Sequence, residues 1–351
     1  MSVLSNSHQA LLRNRDRLSG RFALLGLADP VLLQSISGSG LVMTDNAGVY
    51  NRLPPSDSLL PAFGYDDPAL AAGAADTALI FLPKSRAELS LRLALALWLI
   101  RADGRVILIG EKKEGIAGAV RQMKQALPQA EKVDSARHCQ VWLADHVSPS
   151  KNFRLADWMR WYAMERHGVA LEVAGLPGIF SDNELDAGTA LLLDTLAQTP
   201  LASGKTLDFA CGAGIIGAWW QLFQARNLRT ISAVDGIDVQ FQAVACARAT
   251  YKRAGVQGTI RAFDGLGAKQ ERYQSVVANP PFHTGVRTDT SVTEAFLSNV
   301  SGQLVTGGEL RLVANRFLPY KSLICGYIGE PRVLAEDRSF IVWSAKKKPL
   351  G

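Results

Sequence analysis

The sequence predicts an α/β protein made of two tandem, doubly wound, mostly parallel sheets, the first a degenerate copy of the second. Three observations carry this expectation. The C-terminal half alternates short apolar runs with helix-length segments, the rhythm of βα units feeding a parallel sheet. The N-terminal half repeats part of that rhythm in weaker form, as a duplication would. And 351 residues exceed what one compact core usually holds.

In the second half, residues 206–210 read as a strand that enters the glycine turn Gly212-Ala213-Gly214, and a helix follows through Trp219, Trp220 and Phe223. A second strand at 230–234 ends on Asp235, a helix covers 239–254, and a third strand at 259–263 ends on Asp264. The fourth strand, 275–278, delivers Asn279; a helix near 292–301, a fifth strand at 308–314 and a last one at 340–345 complete the set. In the first half, 78–83 is an apolar strand ending in Pro83, followed by a helix at 87–101 and strands at 104–110 and 139–143. No glycine-rich turn follows an opening strand there, and no Asn precedes Pro83. The first copy therefore lacks the residues that would hold a ligand.

The expected domains are 1–150 and 176–351, with 151–175 as a linker and a helix at 185–196. The linker carries Trp158, Arg160, Trp161, Tyr162 and Arg166. Such interleaving of aromatic and basic side chains suits either stacking on RNA or packing between domains.

Composition bounds the function class. With 48% hydrophobic and 20% charged residues the chain can bury real cores, and it has no low-complexity tract. The net charge of +6 is compatible with a polyanionic partner without demanding one. The clusters Arg13/Arg15/Arg17/Arg21 and Lys346/Lys347/Lys348 read as solvated termini as readily as binding patches. Cys139, Cys211, Cys246 and Cys325 are widely spaced, which predicts free thiols in a reducing compartment and no metal site. No apolar leader is present, and the apolar run at 89–100 is interrupted by Arg92 and too short for a bilayer. The expectation is a soluble, cytoplasmic protein without a membrane; oligomeric state is not readable, and a monomer is the default.

Residues 212–217, Gly-Ala-Gly-Ile-Ile-Gly, fit GxGxxG at a strand-to-helix turn. The turn suits a dinucleotide or S-adenosylmethionine. Asp208, in the strand ahead of the turn, discriminates: a carboxylate faces an ammonium well and a pyrophosphate badly. Its alternative role is to cap the next helix. Asp235, followed by Gly236, stands where an acid accepts ribose hydroxyls. Asp264, followed by Gly265, is placed either to accept from an adenine amino group or to form a turn.

Asn279-Pro280-Pro281-Phe282 is the most informative segment. An exocyclic amino group on a base is a poor nucleophile because its lone pair is delocalised. The Asn279 side-chain oxygen and the Pro280 carbonyl can hold its hydrogens and turn the lone pair toward a methyl donor. Prolines keep the acceptors in place, and Phe282 offers a stacking surface. Alone, the tripeptide Asn-Pro-Pro is also compatible with a simple turn. His283 reads as a polar loop residue or a base. Arg287, Arg316 and Lys321 follow strand ends and are candidate phosphate contacts or plain surface charge.

These residues resemble the class I N-methyltransferases, and more narrowly the bacterial ribosomal RNA small-subunit methyltransferase C family. The resemblance rests on Asp208 through Gly214, Lys132 through Cys139, Leu176 through Ser181, Asn279 through His283, Gly307 through Asn315 and Phe317 through Tyr320, and spans about residues 78–320. It implies two tandem Rossmann-like class I methyltransferase domains, of which only the second binds S-adenosylmethionine. It implies methylation of the exocyclic N2 of a guanosine in 16S ribosomal RNA, with that RNA or the small ribosomal subunit as partner. It also implies that 180–186, with Phe180, covers the cofactor. Ala210 departs from the family's glycine and places a methyl near the methionine portion of the cofactor. The alternatives are a guanine-N2 methyltransferase of 23S ribosomal RNA and a protein glutamine N5-methyltransferase, since a carboxamide is also planar. An NAD oxidoreductase is disfavoured by Asp208. A non-catalytic RNA-binding ribosome assembly factor would fit the first domain better than the second.

Overall fold

The computed structural model describes residues 4–179, 185–264, 272–280 and 290–349. The chain divides into two compact units, Met1–Trp158 and Met159–Gly351. In the first, helix α1 (Asn6–Arg13) precedes strands β1 (Phe22–Leu25) and β2 (Gly40–Thr44); α2 (Ala47–Tyr50), β3 (Leu59–Phe63), β4 (Ala75–Phe81), α3 (Arg86–Leu99), β5 (Ile100–Glu111), α4 (Ile116–Ala126), β6 (Glu131–Ala136) and β7 (Cys139–Val147) follow. The sheet order is β3-β2-β1-β4-β5-β7-β6, with β7 antiparallel to both neighbours and the rest parallel.

The second unit opens with the hairpin β8 (Arg160–Arg166) and β9 (Val169–Gly175), then α5 (Ala187–Gln198) and β10 (Thr206–Phe209). It continues through α6 (Ile215–Arg226), β11 (Val234–Asp238), α7 (Phe241–Ala254), β12 (Ile260–Ala262), β13 (Tyr273–Ala278) and α8 (Thr290–Gln303). The last elements are β14 (Leu304–Asn315), α9 (Tyr320–Tyr327), β15 (Pro331–Glu336) and β16 (Phe340–Lys346). The order β12-β11-β10-β13-β14-β16-β15 is the first sheet's order strand for strand. The duplication is therefore complete in topology, beyond the partial repeat expected from sequence.

Three strands of that repeat, β1 to β3, lie in the first 75 residues, where the sequence shows no repeating pattern. β1 has four residues, and β3 carries Pro61. Proline lacks the N–H a central strand must donate, but β3 is the edge of its sheet, where that loss is tolerated.

Two expectations in the second unit are corrected. Residues 160–175 are a β-hairpin whose Met164, Val169, Leu171 and Val173 are buried in the core with Trp219, Phe223 and Tyr251. Alternating burial along β9 is the pattern of a strand with one face on a core; the stretch expected as a linker supplies that core. Arg166 is tied to Asp194 by two hydrogen bonds of 2.7 and 2.5 Å, and its carbonyl accepts from Trp219 Nε1 at 3.1 Å. The second correction is β11, which runs Val234–Asp238 where a strand ending at Asp235 was expected. Gly236 lies inside the strand, and an added Cβ there would lie 2.7 Å from Ile260 Cδ1 and 3.0 Å from Cys211 Sγ. Neighbouring side chains fill the glycine's space, so the strand passes through it.

Candidate active site

The chain leaves β10 toward β11 on one side, while β13 pairs on the other. Doubly wound sheets bind ligands at the C-terminal strand ends beside such a reversal. Ala210, Cys211 and Gly212 leave β10 there, and Asn279 and Pro280 leave β13.

The turn after β10 is left-handed at three residues: Ala210 has φ +58°, Gly212 +53° and Gly214 +79°. Only Ala210 bears a side chain, so the strain falls on it. Among the described residues, an added Cβ at Gly212 would meet nothing within 4 Å, so none of them covers the backbone there. At Gly214 a Cβ would lie 3.1 Å from Ala247 and Tyr251, and at Gly217 2.0 Å from Tyr251 Oη. The last two glycines of the motif thus serve the close approach of α6 to α7.

Asp208 is fully buried. Its Oδ2 accepts from the Gly217 N–H at 3.1 Å, which satisfies one orphan donor of the first turn of α6. Its Oδ1 has no hydrogen-bond partner. Burial, and secondarily the charge of Asp238, push the carboxyl up to about 8, with the Gly217 N–H opposing. The capping role is therefore real, and among the described residues the other oxygen is buried without a partner.

The second acid is reassigned. Asp235 lies inside β11, level with Leu207 in the register, and is 3% exposed. Its oxygens accept from Thr259 N–H at 2.8 Å and Tyr273 Oη at 3.0 Å, with Lys205 Nζ at 3.1 Å. Burial works against its ionisation, but Thr259, Lys205 and Tyr273 together hold the carboxyl below the usual range. Lys205 and Tyr273 stand at strand beginnings, so this ion pair ties the opposite edge of the sheet and is no ribose acceptor. Gly236, in mid-strand with its space filled, is likewise not at the ligand edge. Asp238 takes the strand-end place. Its Oδ2 accepts from Gly212 N–H at 3.0 Å and its Oδ1 from Gln240 N–H at 2.9 Å. Burial raises its carboxyl, opposed by those backbone donors and the Val239 N–H. The sequence signal was present, an acid four residues into a strand through glycine, but placing the strand four residues early concealed it. Asp264 follows β12 at the same C-terminal edge, half-buried.

Asn279 is half-buried, and Pro280 is buried. The Asn279 Nδ2 donates to Asp186 Oδ2 at 2.7 Å and to Thr189 Oγ1 at 2.9 Å. A carboxylate cannot donate, so the nitrogen must face Asp186, and both amide hydrogens are committed. That leaves Oδ1 as the acceptor the amide can present. Asp186 and Thr189 were not found from sequence as partners of Asn279; the signal was only an Asp ahead of a helical run.

Arg316 is half-exposed, donates to the Asp337 carbonyl at 3.1 Å and lies 3.4 Å from Glu336. Lys321 is exposed in the first turn of α9. Phe180, Gly265, Pro281, Phe282, His283 and Arg287 lie outside the described residues. A cavity of about 380 Å³ lined by Thr199, Arg229, Gln274, Gly307, Arg332 and Lys346 sits at the N-terminal strand edge, away from this chemistry. Among the described residues no cluster of three or more His, Cys, Asp or Glu could hold a metal, and no helix is long and apolar enough to cross a membrane. Cys139, Cys211 and Cys246 are buried free thiols, and Cys325 is half-buried.

The "Methyltransferase small domain" family matches residues 170–344, and "Methyltransferase small domain N-terminal" matches residues 8–162. A ribosomal RNA small subunit methyltransferase C from Hahella chejuensis is 35% identical over 98% of this chain and 99% of its own. The protein of that name from Pseudomonas putida is 37% identical over 97% and 98%. Among solved structures, a T. thermophilus 16S rRNA N2 G1207 methyltransferase in complex with AdoMet and guanosine shares the fold. Its TM-score is 0.82 at 22% identity, covering 98% of this chain and 92% of that one. The chain belongs to the ribosomal RNA small subunit methyltransferase C family.

Proposed function

We propose that this chain transfers the methyl group of S-adenosylmethionine to the exocyclic N2 of a guanosine in 16S ribosomal RNA, free or in the small subunit. The observation that carries the reading is Asn279, its two amide hydrogens taken by Asp186 and Thr189 and its Oδ1 left to accept. The relatives' names give the class of RNA, and the T. thermophilus protein gives the guanine N2 and the cofactor.

The residues fit that cofactor. Among the described residues none covers the backbone at Gly212, Asp208 Oδ1 is buried without a partner, and Asp238 ends β11 beside the turn. In this reading Asp208 and the Ala210-to-Gly214 turn face the methionine portion, Asp238 accepts from the ribose and Asp264 from the adenine. The bound cofactor supplies an activated methyl on a sulfonium.

The protein's part is to hold the amino group. The Asn279 Oδ1 and the Pro280 carbonyl accept its two hydrogens, which favours a pyramidal nitrogen whose lone pair is free to attack. The prolines keep both acceptors fixed, so that positioning and preorganised dipoles supply the acceleration. Of the candidate RNA contacts within the described residues, Arg316 is partly engaged by Glu336 and Lys321 is exposed; Phe180, Phe282, His283 and Arg287 keep the roles the family resemblance and the sequence assign them, outside the described residues. The first domain contributes RNA binding or structural support.

The test is incubation with radiolabelled S-adenosylmethionine and 16S or 23S RNA, each free and in subunits, with the labelled nucleotide mapped. N2-methylguanosine in 16S RNA is the expected product. Label only in 23S RNA, only in a protein glutamine, or nowhere would overturn the proposal.

A further inference from the structure

We propose that Asp186 and Thr189 are positioning residues for methyl transfer, holding the Asn279 amide so that its Oδ1 and not its Nδ2 meets the acceptor nitrogen. This rests on the function proposed above and adds to it the device that orients the acceptor.

An asparagine amide is nearly symmetric in shape, and either end could face the substrate. The wrong end would present N–H groups to an amino group that must itself donate, and no hydrogen bond could form. The surroundings decide the matter. Asp186 is the N-cap of α5, and its Oδ2 accepts from the Thr189 N–H at 2.8 Å and from Asn279 Nδ2 at 2.7 Å. Thr189 Oγ1 takes the second amide hydrogen at 2.9 Å. Turning the amide over would set Oδ1 against the carboxylate oxygen, acceptor against acceptor. Thr189, on the helix's first turn, is 7% exposed, while Asp186 at the cap is exposed. A Cβ at Gly188 would lie 3.1 Å from Asp186 Oδ2 and 3.2 Å from Phe340, so the glycine leaves room for the carboxylate to fold back. One helix start thus serves two ends: it caps α5 and locks the side chain that ends β13, 93 residues further on.

Asp186→Ser separates the two roles. Serine caps helices about as well as aspartate, but its hydroxyl is too short to reach Asn279. The expected result is a kcat lowered about 100-fold, the scale of a misplaced reacting group, with cofactor Kd by calorimetry and Tm both unchanged. Thr189→Ser should keep near-normal kcat, and Thr189→Val should lose most of it. A purely structural role would be additive with loss of Asn279. Here Asp186→Ser placed on Asn279→Ala should cost nothing further. Asp186→Ser with a kcat within about twofold of the parent, or losses that multiply in the double variant, would overturn the inference. Should Asp186→Ser lower Tm, the Thr189 pair decides alone: equal kcat for Ser and Val refutes it. A parent enzyme that labels 23S RNA or glutamine instead would sink the function proposal, while the same ratios could still be read on that acceptor.

Discussion

The two sheets share one strand order, yet their C-terminal edges have opposite fates. The pairings Phe22↔Thr77 and Thr206↔Ser275 align β4 with β13, so Phe81 stands where Asn279 stands. In the second unit no described residue covers that edge at Gly212, and it presents Asn279. In the first it is closed by Arg92 of α3. The Arg92 guanidinium donates to the Phe81 carbonyl at 2.8 Å, to Asp45 after β2 at 2.9 Å and to Glu88 at 2.6 Å, while Nε donates to Tyr65 Oη at 3.1 Å. It fills the space over Gly26, which leaves β1 with φ +83°, so closely that an added Cβ would displace the guanidinium. Burial pushes the Glu88 carboxyl up to about 7, against the pull of Arg92. Topology sets where a site can form; the side chain that reaches the strand ends decides whether one does.

Several substitutions would break or sharpen this contrast. Arg92→Ala leaves buried carboxylates without their cation, and should destabilise the first unit by about 3–5 kcal/mol. Cofactor affinity in the second should be unmoved; a denaturant midpoint equal to the parent's would show that Arg92 is not the keystone of that edge. Asn279→Ala should lower kcat by about 10²–10³-fold with cofactor affinity retained, and unaltered turnover would remove Asn279 from the chemistry. Titration of the full chain should find one S-adenosylmethionine per molecule, and a second site would refute closure of the first edge.

The acids make a finer test. Asp238→Ala should weaken cofactor binding about 10-fold or more, the worth of a charge-assisted hydrogen bond. Asp235→Ala should instead cost about 1–3 kcal/mol of stability and spare affinity; the reverse pattern would restore Asp235 to the ligand. Asp208 titrates upward of an unfolded carboxyl, so between about pH 4 and its folded value near 8 the native state holds one more proton than the unfolded. Its contribution to stability is present below that window and is lost as pH rises through it, at about 1.4 kcal/mol per pH unit. Asp208→Asn should remove that slope from the pH dependence, and identical slopes would contradict the buried, unpaired Oδ1. The smallest effect is Ala210→Gly, which relieves a left-handed alanine worth about 1 kcal/mol; a lowered Tm would count against the strain.

The βα rhythm, the glycine turn and the Asn-Pro-Pro segment were legible because each is local: a hydrophobic period, a φ requirement or a strand end announces itself within a few residues. The hairpin at 160–175 was not, since aromatic and basic residues alternate there whether they face RNA, a domain boundary or a core; burial against α6 and α7 chose the core. Asp235 and Asp238 are both plausible strand-end acids by spacing, and only the pairing of Thr206 with Val234 shows which one reaches the edge. Arg92 looked like a break in an apolar run.

What the sequence determined by itself, then, is that this chain has two βα halves and that the second carries an amino-group acceptor beside a ligand turn. Tertiary structure alone decided that Arg92 fills the first edge, that Asp238 and not Asp235 stands at the strand end, and that Asp186 and Thr189 meet the Asn279 amide. Each of those depends on side chains far apart in the chain meeting within hydrogen-bond distance, and no local pattern encodes such a meeting.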